Sequence, residues 1–458
     1  MATLADTRAG EARRIAVPFV RGLAAGAAAI LAMTALTAAA LALAGARQFG
    51  ELRPLVAALV ALAAGGRTDV TLSISGKGGG LSGLGGLGGL GGSLQAMPLG
   101  ITLTGAVVLA ALLLHDHRRE TPPGLAARAV GAVTSYLALL VTAASLGHGT
   151  IARPATSATP PPATPSGPGG LLAGDHSLAT LLADGRTLEY TTAVGGTALR
   201  GCLLVLGVLL VCWLLSHATP GLVRDLLRPA LSAVTTVLLA GATLVILAGL
   251  VAATAFGQGG KGLAAVLLAA PNAVVIGWSS GLGAPWTINA TGVFGGKLPT
   301  GGGSSDGPGF RGLPGGRGHS SGSGLFGGSD EWPRPLIDSD TAALTMVIVA
   351  ILLTLACGML TAARSTPPGA PTTLPRRALW NAGALGGVLS LALLILVLVA
   401  GATGGIVLSV LGFSVPAVTF QVDGGWWQAI LGGLLGGAAG GAAGTMLLAA
   451  VRRVRGAH

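Results

Sequence analysis

RPALSAVTTVLLAGATLVILAGLVAATAFGQGGKGLAAVLLAAPNAVVI, residues 228–276, holds two apolar segments of unlike kind. Between Pro229 and Gly260 no residue is charged. The part from 229 to 254 is long enough, at about 1.5 Å of rise per residue, to cross a hydrocarbon core of about 30 Å as one helix. After Gly257-Gln258-Gly259-Gly260-Lys261 comes a shorter apolar run, 263–276, interrupted by Pro271-Asn272. Its length and its central amide predict a broken, re-entrant segment. Pro271 and Asn272 stand at its tip and are candidates to line a cavity.

The same arrangement recurs near the N-terminus. Aligning Arg21 with Arg228 without gaps brings Phe49-Gly50 onto Phe256-Gly257, and 54–64 is again a short apolar segment followed by Gly65-Gly66. Thr121-Pro122-Pro123-Gly124 is echoed by Thr366-Pro367-Pro368-Gly369. Span, broken segment, Gly-rich loop, span and TPPG turn thus occur twice in one order, which points to a tandem duplication of residues 1–216 and 217–458.

Composition sets the class. Only 9% of the 458 residues are charged and 4% aromatic, and the mean hydropathy is +0.75, too few charges to cover a soluble globule of this size. The net charge of +11 invites a nucleic-acid reading. The arginines sit at span ends without interleaved aromatics, which is topology control, and no nucleic-acid partner is expected. Cys202, Cys212 and Cys357 all fall inside apolar spans, so no disulfide framework is expected.

Eight spans are read along the chain, at about 22–45, 97–114, 129–146, 199–216, 229–254, 341–363, 379–402 and 426–451. The first is long for a signal peptide despite its Ala42-Leu43-Ala44 pattern, and reads as an uncleaved helix. Strand patterns occur at 69–75, 187–192, 286–289 and 417–422, all on one side of the membrane. They predict a small outer sheet shared by both halves, with Val70, Leu72 and Ile74 facing the helices. The Leu-Gly-Gly tract 78–92 reads as a flexible loop, as do the Pro- and Ser-rich segments 153–170 and 299–329. The fold class is therefore an all-α polytopic membrane protein: two parallel four-helix repeats related by a pseudo-twofold along the membrane normal, plus a β cap.

Placing both termini in the cytoplasm puts Arg8, Arg13, Arg14, Arg21, Arg118, Arg119, Arg128, Arg224, Arg228, Arg364, Arg376, Arg377, Arg452, Arg453 and Arg455 inside, 15 of the 27 basic residues. The net charge is then +10 inside and +1 outside. This bias fixes the orientation.

The last span carries the sharpest packing pattern: Gly432, Gly433, Gly436, Gly437, Gly440, Gly441 and Gly444 make a smooth stripe against which another backbone can approach closely, within one chain or across a homo-oligomer. Chemistry is sparse. His115-Asp116-His117 offers two imidazoles but no further ligand fixed by spacing, so neither metal nor cofactor is expected. No carboxylate lies mid-span, and no nucleophile-base motif or phosphate loop is present, so catalysis is not expected. Two functions fit: a transporter or channel-like conduit for an uncoupled or hydrophobic solute, or a non-transporting scaffold that binds another membrane protein through its outer strands and loops. The two differ in whether the broken segments converge on a polar cavity or are packed shut.

In its Ala-, Leu- and Gly-rich spans, its scarcity of lysine (Lys77, Lys261 and Lys297), its Gly- and Pro-rich outer loops and its two TPPG turns, the chain resembles the streptophobe family of hydrophobic polytopic proteins of Streptomyces and relatives. The resemblance runs the full length. It implies an actinobacterial plasma-membrane protein and brings no functional residues with it.

Overall fold

The computed structural model describes residues 2–49, 51–73, 88–115, 122–151, 187–215, 221–257, 259–291, 334–335, 340–365, 373–410 and 413–456. In order these form α1 (Ala2–Leu43), a 3-10 turn (Ala46–Phe49), α2 (Leu52–Ala63), β1 (Thr68–Ser73), β2 (Gly88–Ala96), α3 (Leu99–His115), α4 (Pro122–Leu146), β3 (His148–Ile151), β4 (Thr187–Thr192) and α5 (Val194–Leu215). Then come α6 (Gly221–Ala255), α7 (Gly259–Gly281), β5 (Trp286–Thr291), β6 (Arg334–Pro335), α8 (Asp340–Arg364), α9 (Leu374–Ala400), β7 (Ala402–Val410), β8 (Phe413–Gly424) and α10 (Trp426–Gly456). The second TPPG turn, Asp116, His117, Ile74 and most of the Gly- and Pro-rich loops lie outside the described residues.

All eight strands form one antiparallel sheet in the order β3-β4-β1-β2-β7-β8-β5-β6. Each is joined to a helix end by only a few residues, so the sheet marks one end of the bundle. The four expected strands are all present, and the sheet is larger than expected because β2 and β7 bridge the halves over nine residue pairs, from Gly88↔Val410 to Ala96↔Ala402. This corrects the reading of 78–92 as loop in its last part: Gly88 to Gly92 is strand. Glycine has no side chain to pack and loses much entropy there, but both edges of β2 are paired, with β1 and with β7, so backbone hydrogen bonds suffice.

Eight of the described helices are long and apolar enough to cross a membrane. By length this set includes α7, with 23 residues, and leaves out α3, with 17. The packing assigns them the other way. α1 runs parallel to α4, since Gly22 lies against Arg128 and Ala132 while Gly26 lies against Ala132 and Tyr136. α4 leads into β3, so α1 also ends on the sheet side. α7 begins there, with Gly260 against the Leu43 carbonyl at the end of α1, passes the start of α3, and ends by leading into β5. Both its ends are on one side. α2 is placed alike, with Ala58 beside Gly147 at the end of α4 and Ala63 beside Thr102 near the start of α3. α2 and α7 therefore begin and end on the sheet side, with α7 reaching into the bundle where Val274 meets Gly241 of α6 and Trp278 meets Thr354 of α8, and α1, α3, α4, α5, α6, α8, α9 and α10 run between the two ends.

One expectation is corrected here: the segment 263–276 is not broken, because α7 continues as one helix through Pro271. Left-handed glycines follow α1 at Gly45 (φ 76°) and α6 at Gly257 (φ 64°). Farther on, α2 and α7 end in the same turn: Gly65 (φ 86°) and Gly283 (φ 89°) donate to Leu62 O and Ser280 O, while Gly66 and Ala284 donate to Ala61 O and Ser279 O. This is the Schellman arrangement, in which a residue with positive φ lets the next amides satisfy the last carbonyls.

Each half has its own core. One surrounds Met33, Ile101, Tyr136, Leu140 and Val205; the other surrounds Trp278, Trp286, Leu385, Leu389 and Leu393. Leu99 of α3 belongs to the second and Leu268 of α7 packs on the first, so these two helices interlock the halves. On the bundle's exterior Leu199, Leu244, Leu352, Leu398 and Leu435 are 59–69% exposed, a belt of large aliphatic side chains suited to lipid tails and not to water.

Candidate functional site at the junction of the halves

The N-terminus of α3 meets the middle of α7, and the sequence explains both sides of the contact. A helix start leaves backbone N–H groups without intrahelical acceptors. Asn272 supplies one: its Oδ1 accepts from the Leu99 N–H at 2.8 Å, and its Nδ2 donates to Met97 O at 3.0 Å. Both amide atoms are thus used in protein, across 173 residues of sequence. Pro271 is buried and has no N–H to give the carbonyl of Leu267, four residues back. That carbonyl faces Gly100, where any Cβ would collide with it. Glycine at 100 lets α3 sit directly on the stretch of α7 that proline leaves without its ladder bond.

Farther along α7, Trp278 Nε1 donates to Thr354 Oγ1 at 3.1 Å, and Trp286 Nε1 of β5 donates to Ser279 Oγ at 2.9 Å. Thr354 and Ser279 each donate in turn to the carbonyl four residues earlier, both at 2.7 Å. α7 is thereby fastened to α8 and to the sheet with these buried polar groups satisfied. α2 is held similarly at its end: Thr102 Oγ1 donates to Ala63 O at 2.6 Å and Arg200 Nη1 to Gly65 O at 2.7 Å. Tyr190 of β4 is buried near Gly149 and Pro54, and burial together with the Glu51 carboxylate pushes its phenol pKa up.

The glycines of α10 divide between neighbours. Gly433, Gly437 and Gly441 lie against Ser390, Gly386 and Asn381 of α9; Gly440 and Gly444 lie against Thr354 and Gly358 of α8; Gly432 and Gly436 lie against Leu282. The stripe is occupied within the chain. A second close seam sets Gly22 and Gly26 of α1 against Arg128, Ala132 and Tyr136 of α4, and Gly131 of α4 against Phe19 and Leu23 of α1; its signal in the sequence is the small-xxx-small pattern Gly22-Leu-Ala-Ala-Gly26.

Toward the end opposite the sheet, α3, α4 and α5 leave a cavity of about 490 Å³ bordered by Leu113, Leu125, Arg128, Leu209, Cys212 and Trp213. Its lining is mainly apolar, and Arg128, although buried, gives an Nη2 hydrogen to Leu112 O at the end of α3. Among the described residues no three His, Cys, Asp or Glu gather as metal ligands would.

The lipid-facing helices and interlocked cores define an integral, multi-pass α-helical membrane protein. No family model matches the chain, and neither a curated protein nor a solved structure matches it.

Proposed function

We propose that this chain is a non-transporting membrane scaffold, built of two tandem repeats, that holds an eight-stranded sheet at the outer face of a bacterial plasma membrane for contact with another membrane component. The observation that carries the reading is the junction at Asn272. A conduit needs α2 and α7 to line a polar cavity, and here the amide in that position has both atoms engaged on Met97 and Leu99. Buried threonines support the same view: Thr37, Thr361 and Thr445 bond the carbonyl four residues back within their own helices.

The repeat reading draws on the matching order of helices and strands in the two halves, on the paired Schellman turns, and on identical registers, Thr68↔Thr192 and Trp286↔Gly424. Orientation rests on arginine: Arg228, Arg364, Arg376, Arg377, Arg452, Arg453 and Arg455 cluster at the end opposite the sheet. The streptophobe resemblance agrees with such a polytopic protein. No catalytic role is proposed.

Reconstitution into liposomes tests the scaffold reading. Efflux of entrapped urea, glycerol and sucrose from vesicles containing the protein should match that from protein-free vesicles. A saturable, protein-dependent flux of any of them would replace the scaffold with a conduit.

A further inference from the structure

Among α3, α4 and α5 the helices stand apart, and the space between them has a definite chemistry. Every described residue bordering the cavity belongs to one of these three helices, and its volume, about 490 Å³, is in the range of pockets that hold small molecules. In the second half α8, α9 and α10 are drawn together by the glycines of α10, which bring backbones into contact. α5 has no such stripe: Leu206, Leu209 and Leu210 border the cavity, and a Cβ at Gly207 would meet nothing within 4 Å. Leu206 is 48% and Leu210 56% exposed, so the space opens toward the bilayer. A lining with so few polar partners does not hold water, and hydrocarbon fills it instead.

The cavity is charged at one end. From Leu206 to Trp213, α5 advances about 10 Å, out of the membrane interior to the helix end opposite the sheet. At that end Arg128, only 4% exposed, borders the cavity and donates from Nη2 to Leu112 O, one of the last carbonyls of α3. That bond uses one of the five N–H groups in the guanidinium's planar fork, a shape that matches phosphate. Arg128 is the one charged side chain among the described residues bordering the cavity. Trp213, half exposed at the same end, is a residue type that settles at headgroup level. We propose that the cavity binds an anionic phospholipid from the leaflet opposite the sheet, with an acyl chain along Leu206, Leu210 and Ala129 and the phosphate at Arg128. Basic pockets between membrane helices take anionic headgroups on the same grounds. The site is remote from the sheet and does not depend on the scaffold reading.

Native mass spectrometry of the full-length protein in detergent, titrated with dioleoylphosphatidylglycerol or dioleoylphosphatidylcholine, tests this. The two lipids share their chains, so a difference between them reports the headgroup. The first phosphatidylglycerol should bind at least about fivefold more tightly than the first phosphatidylcholine, the discrimination one arginine gives at a membrane surface. Ala126→Trp fills the cavity from an exposed position of α4 and should abolish this binding, as should Ala129→Trp, while Leu244→Trp on the lipid-facing side of α6 should keep it. Arg128→Gln retains a donor for Leu112 O without the charge, and should bind both lipids alike. Equal binding of the two lipids by the unaltered chain overturns the proposal. Tight phosphatidylglycerol binding that survives in either occluding variant also overturns it, placing the lipid elsewhere. Displacement of the lipid by excess inorganic phosphate overturns it too, because the ligand would then be the anion alone.

Discussion

Asn272 shows what one side chain does in this molecule and how much of that was legible. An amide inside an apolar run signals a polar function, and the sequence marks it plainly. Its partners, Met97 and Leu99, are remote in sequence and carry no signature of their own, so the amide reads as a cavity residue until the fold places α3 beside it. Replacing Asn272 with Leu strands a backbone donor and a backbone acceptor in a partly buried site, at a cost of about 2–4 kcal/mol. The exposed neighbour makes the comparison: Ala273→Leu should change stability by less than about 0.5 kcal/mol. Thermal unfolding in detergent checks both, and equal melting of the two variants would remove the clamp. Pro271 misled for a related reason. Proline usually breaks a helix because the ring clashes with the turn before it and a ladder bond is lost, but here the deprived carbonyl faces Gly100 and the surrounding core holds the helix through the site.

At the level of elements, apolar length found the eight helices that run between the two ends and set α2 and α7 apart from them, but not the continuity of α7 through Pro271, which depends on neighbours. β2 escaped notice because strand patterns are read from side chains, and Gly88 to Gly92 has almost none. Its stability comes from partners on both edges, which only the three-dimensional order supplies. For α10 the spacing was informative, and the contacts now rank its glycines. A Cβ at Gly440 would stand 2.8 Å from the carbonyl oxygen of Thr354, a backbone atom that cannot give way, whereas at Gly436 it meets only Leu282 Cδ2, the end of a flexible side chain. Alanine improves helix propensity by about 1 kcal/mol at either position. Gly436→Ala should therefore be neutral or stabilising, and Gly440→Ala should cost about 1–3 kcal/mol through forced separation of α10 from α8. Melting temperatures that move in the same direction for the two variants would contradict the close approach.

The whole molecule is a bundle with one decorated end, and its proposed sidedness rests on charge. Cysteine introduced at Thr403 on the sheet should react with an impermeant maleimide on intact cells, while cysteine at Arg376 should react only after permeabilisation. The reverse pattern would invert the orientation and move the sheet to the cytoplasm. A repeated order of unlike segments was legible in the sequence, but the register of the proposed duplication was not, since a chain rich in Ala, Leu and Gly aligns with itself at several offsets. On that proposal the turn glycines with positive φ favour matching Gly45 with Gly257 and Gly65 with Gly283, and strand pairing joins residues 88–96 to 402–410. The seam between β2 and β7 is the central claim, and disulfide formation across it is the most direct measurement. Gln95 and Thr403 face each other in the ladder, whereas Ala402 is one residue out of step and points to the opposite face. In membranes holding a chain whose native cysteines are replaced, Gln95→Cys with Thr403→Cys should oxidise readily to an intrachain disulfide and Gln95→Cys with Ala402→Cys should not. Failure of the first pair, or equal yield from both, would contradict a single sheet built from the two halves.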